Sequence, residues 1–149
     1  MILILFLTIQ DYKGEYLNMK KTMKLYELTN IYEVAKNIIE NKNSTITSLS
    51  KFKLLGVIRS FSGIYNDYER TRQDLVKKYG EPVLDGEGKE TGNIEVKRDS
   101  ENMNKFVEEM NILRNQNIDV EFNAITVEEL FKMELSAEIC AVFMPIVAE

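Results

Sequence analysis

Leu54, Ile58, Phe61, Tyr65, Tyr68, Arg72, Leu75 and Tyr79 recur at alternating steps of four and three. Only an α-helix brings such a set onto one side, so the stretch predicts a helix with a seam roughly 40 Å long. Gly80-Glu81-Pro82 ends it, by a glycine cap and a proline that cannot continue the helix. Gly56 and Gly63 lie inside, each costing about 1 kcal/mol against alanine, and are places where the helix can bend. Arg72 puts a charge in the seam. A guanidinium is not buried without a partner, so Arg72 is expected to meet a carboxylate of the next helix or to reach solvent.

A second seam follows. Met103, Phe106, Met110, Leu113 and Asn117 repeat steps of three and four after a cap at Asp99 or Ser100. Residues 83–97 break the period: Val83-Leu84, the turn-rich Asp85-Gly86-Glu87-Gly88 and Ile94-Glu95-Val96 predict a β-hairpin. Two seams joined by a hairpin imply an antiparallel helical pair, and each side chain buried between them contributes about 1.5–3 kcal/mol. The pair is therefore expected to anchor the fold.

The flanks are shorter. A helix is predicted over residues 29–39, capped by Thr29 or Asn30, with Ile31, Val34, Ala35 and Ile38 on its apolar side. Ile118-Asp119-Val120-Glu121-Phe122 alternates apolar and acidic residues, the pattern of a half-buried strand. Thr126-Val127-Glu128-Glu129 is a capping box, with Ile125 and Leu130 as its hydrophobic staple. Leu135-Ser136 opens a last helix at Ala137, apolar nearly all round: Ile139, Cys140, Ala141, Val142, Phe143, Met144, Ile146 and Val147. Such a helix is either central to the core or docked on another chain. The expected fold is mostly α (α+β): a long antiparallel helical hairpin, a small β-hairpin and apolar C-terminal helices.

The chain has no histidine and one cysteine, Cys140. Triads with histidine and histidine-ligated zinc are excluded, and an internal disulfide is impossible. Asp85, Glu87 and Glu90 lack the ligand spacing of a calcium loop, and the nearby glycines lack a nucleotide-loop pattern. No catalytic residue, metal or cofactor is expected. Lys20, Lys21, Lys24, Lys77 and Lys78 make no sustained basic face, so direct nucleic-acid binding is not expected.

Charge divides along the chain. Residues 1–98 carry 16 basic and 13 acidic side chains, whereas residues 99–149 carry 3 basic and 11 acidic ones. The asymmetry points either to a basic partner or to a solvated acidic surface.

Residues 1–9 form an apolar run too short to span a bilayer and without the charged start of a signal peptide. Lys13-Gly14-Glu15 is what a purine-rich ribosome-binding sequence encodes when read in frame, and Met19 and Met23 follow closely. Translation is expected to begin at one of these, leaving residues 1–22 as a doubtful leader and 23–149 as a single helical domain in the host cytoplasm.

Met23-Lys24-Leu25-Tyr26-Glu27-Leu28, the helix end Leu75-Val76-Lys77-Lys78-Tyr79-Gly80, the acidic hairpin, the Phe106 helix, the strand 118–122 and the Leu135-Ser136 helix follow a recognisable order. Over residues 23–149 the chain resembles a family of small proteins of unknown function from phages and prophages of Gram-positive bacteria. The motifs that carry the resemblance are structural and imply no chemistry. Small size, the absence of catalytic residues and the acidic last third lead to the expectation of a non-enzymatic accessory protein that binds a protein partner. One expectation is an inhibitor of a host defence factor, in the manner of anti-CRISPR proteins, whose acidic last third occupies a basic channel. The alternative is a morphogenesis protein, a tail-assembly chaperone or minor virion component. Candidate partner-binding residues are Glu108, Glu109, Asp119, Glu121, Glu128, Glu129, Ile139 and Phe143, with homo-oligomerisation through the C-terminal helix as a further expectation.

Overall fold

A strand that leads straight into a helix opens the computed structural model, which describes residues 17–148. Strand β1 (Leu17–Lys24) pairs antiparallel with β4 (Asn117–Ala124), in register from Leu17 opposite Ala124 to Lys24 opposite Asn117. Alternation sorts the two faces. Met23, Val120, Phe122 and Ala124 are buried, while Asn18, Lys20, Thr22, Asp119, Glu121 and Asn123 face outward. The expected strand 118–122 is thus present and longer at both ends. Residues 17–22, assigned above to the leader, supply six of the eight positions of β1. The apolar run 1–9 and Lys13-Gly14-Glu15 lie outside the described residues.

Helix α1 (Leu25–Glu40) starts four residues before the expected Thr29 and has no side-chain cap. The reason is tertiary: the Leu25 amide donates to the Gln116 carbonyl at 2.9 Å, a partner outside the helix. Thr29 is instead buried one turn in, its hydroxyl donating to the Tyr26 carbonyl. Leu25, Leu28, Ile31, Tyr32 and Ala35 form the buried face.

Helix α2 (Ser48–Tyr79) is one continuous element of 32 residues, about 48 Å at the helical rise. Thr47 caps it by accepting from the Ser50 amide at 3.2 Å. The glycines put no break in it; Gly56 and Gly63 both face open space. Gly80 stands at the end as expected, but its backbone is extended and not left-handed. Space explains the residue: a Cβ there would lie 2.4 Å from the Val76 carbonyl oxygen and 2.5 Å from Ile94 Cγ2.

Strands β2 (Glu81–Leu84) and β3 (Glu90–Glu95) make the expected hairpin. Asp85 organises its tip, accepting from the Glu87 and Lys89 amides at 2.9 and 3.0 Å. Helix α3 (Glu101–Arg114), capped by Ser100, then runs back along α2. The Asn102 amide nitrogen donates to the Tyr79 carbonyl, and Lys78 reaches Glu109 at 3.2 Å. The helix ends before Asn117, which opens β4.

The antiparallel α2–α3 pair is real, but it does not anchor the molecule. No residue of α3 is buried. The core is built from α1, the first half of α2, the β1–β4 sheet and the two short helices α4 (Val127–Lys132) and α5 (Ala137–Phe143). Its largest wholly enclosed side chains include Phe61, Phe122, Phe143, Leu28 and Ile31.

The Thr126 cap forms, its hydroxyl accepting from the Glu129 amide, and Ile125 and Leu130 are both buried as a staple requires. The Glu129 carboxylate accepts from the Thr126 hydroxyl and pairs with Lys53 in place of the Thr126 amide that a full capping box would use. The last helix is shorter than expected. It gives way to a 3-10 turn at Met144–Ile146, where Pro145 removes a donor. Val147 then lies parallel to Ile125, held by Ile125 N–H to the Ile146 carbonyl and Ala148 N–H to the Ile125 carbonyl. With Phe143, Ile146 and Val147 buried and Ala137, Glu138 and Ala141 exposed, this segment covers the core. The result is a mostly helical α+β fold with two small antiparallel sheets.

Candidate interaction surface

The charge division of the sequence is folded into contacts between its two parts. Lys53 of α2 pairs with Glu129 of α4, Lys78 with Glu109, and Lys20 stands opposite Glu121 in the sheet. Thr22 and Asn18 donate to Asp119 and Glu121 at 2.5 and 2.6 Å. Glu128 is paired within its own helix with Lys132 at 3.2 Å. The candidate acidic residues therefore stand on three separate elements: Glu108 and Glu109 on α3, Asp119 and Glu121 on the outer sheet face, Glu128 and Glu129 on α4. Of the apolar candidates, Ile139 is half-buried and Phe143 is wholly enclosed, its ring spent on the core.

Arg72 takes a different partner from the one expected. Its guanidinium donates to both carboxylate oxygens of Glu69, one turn back on α2, at 2.9 and 2.5 Å. That hydrogen-bonded cation holds the Glu69 carboxyl below the usual carboxylate range. Nearby, Tyr32 and Tyr65 stack with centroids 4.0 Å apart, and Tyr65 donates to Glu33 at 3.0 Å. Burial first, and the Glu33 carboxylate second, push the Tyr65 phenol up to about 12. At neutral pH Tyr65 is a protonated donor that ties α1 to α2.

Large apolar side chains are exposed where α4 meets the start of α2. Leu49, Phe52 and Leu55 stand on the first turns of α2, Val127 and Phe131 on α4, and Met144 on the 3-10 turn. Phe131 is 70% exposed. Between α2 and the sheet end, a cleft of about 180 Å³ is walled by Phe52, Lys53, Gly56, Arg59 and residues Asn123, Ala124 and Ile125. It adjoins a second cleft in which Leu49 and Lys53 face Glu128, Glu129 and Lys132. The Lys53–Glu129 pair forms the wall between them. With side chains 10% and 18% exposed, it is nearly dry, and removing either partner would strand the other charge.

The register of α4 carried the signal for this surface. Once the capping box sets Val127 as its first residue and Leu130 inward, Val127 and Phe131 share an outer stripe one turn apart. The exposure of Leu49 and Phe52 had no such signal, because they precede the seam.

Among the described residues no cluster of three or more acidic or cysteine side chains is placed to hold a metal ion, and no helix is long and apolar enough to cross a membrane. Cys140 is half-buried beside the Leu135 carbonyl. Comparison with protein-family models, with curated proteins and with solved structures found no match.

Proposed function

We propose that this chain is a non-enzymatic accessory protein that grips another protein through the adjoining clefts beside the start of α2, one against the sheet end and one against α4. The observation that carries the reading is the gathering of Leu49 and Phe52, each more than half exposed, at the lips of clefts with a dry ion pair between them. Exposed apolar side chains around a concave, charge-rimmed site are how protein-binding surfaces differ from ordinary solvated ones. The phage or prophage setting rests on the resemblance over residues 23–149. Within it the partner is a host factor or a virion protein. Five of the six candidate carboxylates already have an ion-pair or hydrogen-bond partner within the chain, so this reading is built on the apolar lips and not on an acidic face.

The test is affinity capture from host lysate, before and during infection, with the full chain and with a Leu49→Asp/Phe52→Asp variant. A partner held by the parent chain and lost from the variant, with unchanged circular dichroism, is expected. A host nuclease or polymerase captured before infection identifies an inhibitor, and virion proteins captured only during infection identify an assembly factor. Equal capture by both chains overturns the cleft as the binding site.

A further inference from the structure

We infer that α4 is also a self-association surface, pairing antiparallel with α4 of a second copy of this chain. The two inward residues of this helix, Leu130 and Met133 just after it, are buried at 2% and 3% exposure. On the opposite side two stripes run in parallel. Val127 and Phe131 form an apolar one, extended by exposed Met144; Glu128 and Lys132 form a charged one beside it. Both stripes are open: Val127 is 46%, Phe131 70% and Met144 55% exposed, and the Glu128 and Lys132 side chains 79% and 69%.

Their order is self-complementary. A two-fold axis perpendicular to two antiparallel helices keeps each stripe on its own side and reverses its direction. Placed near the middle of α4, such an axis sets Val127 against Phe131 of the second copy, and Phe131 against its Val127. The same operation sets Glu128 against Lys132 and Lys132 against Glu128, giving two equivalent ion pairs across the contact. Apolar and charged stripes are satisfied by one placement, which is what commits this face to a second copy. A helix of another sequence would need an apolar stripe beside an acid and a base in the matching order. The ion pair now made within α4 keeps its partners' charges and exchanges them across the axis, so little is lost on association.

This surface shares Glu128 and Lys132 with the second cleft of the proposed function and adds Val127, Phe131 and Met144, and its test reads mass in place of partner capture. Sedimentation equilibrium of the full chain over a concentration series is expected to show a monomer–dimer equilibrium. Phe131→Asp should remain monomeric with its helical circular dichroism intact. Glu128→Lys places like charges opposite each other and should weaken the dimer by about tenfold or more. Glu128→Lys/Lys132→Glu rebuilds both pairs in reverse and should bring the dimer back to near the parent constant. Monomer at every concentration, a Phe131→Asp dimer as tight as the parent, or a double variant no better than Glu128→Lys would each overturn the proposal. Loss of partner capture by Leu49→Asp/Phe52→Asp leaves these masses unchanged, so the two readings fail separately.

Discussion

The two halves of α2 carry the same heptad and live in different surroundings. Leu54, Val57 and Phe61 are wholly enclosed, whereas from Ile64 to Tyr79 the helix has no buried residue. Over its first half, α1, β4 and the C-terminal segment close around the seam. Past Tyr65, which still stacks on Tyr32 of α1, α3 and the β2–β3 hairpin lie against the second half, and neither contains a buried residue. A seam's period tells which side of a helix is covered; how deeply it is covered depends on how many layers the chain supplies there.

The contrast is best broken by deleting the same kind of contact at both ends. Phe61→Ala removes a ring that packs edge-on against Phe122 at 5.7 Å and should cost about 3–5 kcal/mol in chemical denaturation. Leu113→Ala, on the half-buried seam of α3, should cost only about 1 kcal/mol, since much less area returns to water. Equal losses at the two sites would show that the arm formed by the end of α2, the hairpin and α3 is as tightly packed as the core.

A second comparison uses the two internal methionines. A chain begun at Met23 lacks six of the eight β1 positions and leaves β4 unpaired along most of its length, so its unfolding midpoint should fall well below that of the parent. A chain begun at Met19 lacks only Leu17 and Asn18 and should unfold close to the parent. Matching midpoints for the two shortened chains would mean that β1 adds little to the core.

The smallest effect sits where core and arm join. The Tyr65 phenol is raised from 10.0 to about 12 in the folded chain, so folding favours its protonated form. Its contribution to stability is complete below pH 10 and is lost as pH rises toward 12. Ultraviolet titration should show a phenolate appearing near pH 12, and Tyr65→Phe should abolish that step while leaving the delay that burial imposes on Tyr68. A parent chain whose tyrosines all ionise near 10 would show that the bond to Glu33 is not kept in solution.

Local signals were legible where a short stretch decides its own geometry. The seam of α2, the end of its helix at Gly80, the acidic hairpin tip, the strand around Val120 and the Thr126 cap needed no distant partner. Strand β1 was missed because its only strong pattern is Met19, Lys21 and Met23 on one side, and a lysine inside an apolar alternation reads as loop. In the fold the Lys21 ammonium reaches the Pro145 carbonyl at 3.0 Å, a contact 124 residues away. The partner of Arg72 was missed for the opposite reason: the local Glu69 satisfies it before any helix arrives from elsewhere. Of the eight candidate binding residues, the acidic ones other than Glu129 keep exposed side chains, yet composition could not show that most already have partners.

Periodicity, caps and turn chemistry are properties of neighbours in sequence. From them the seam of α2, the existence of the other helices and the hairpin follow, though not the start of α1 or the length of the last helix. The same residues also exclude histidine chemistry and an internal disulfide outright. What only packing decided is which seam became core, that α1 and the first half of α2 hold the molecule and not the α2–α3 pair, and where the charges of the last third were spent. Burial depth and ion pairing depend on residues up to a hundred or more positions apart meeting in space, and no window of sequence contains both members of such a contact.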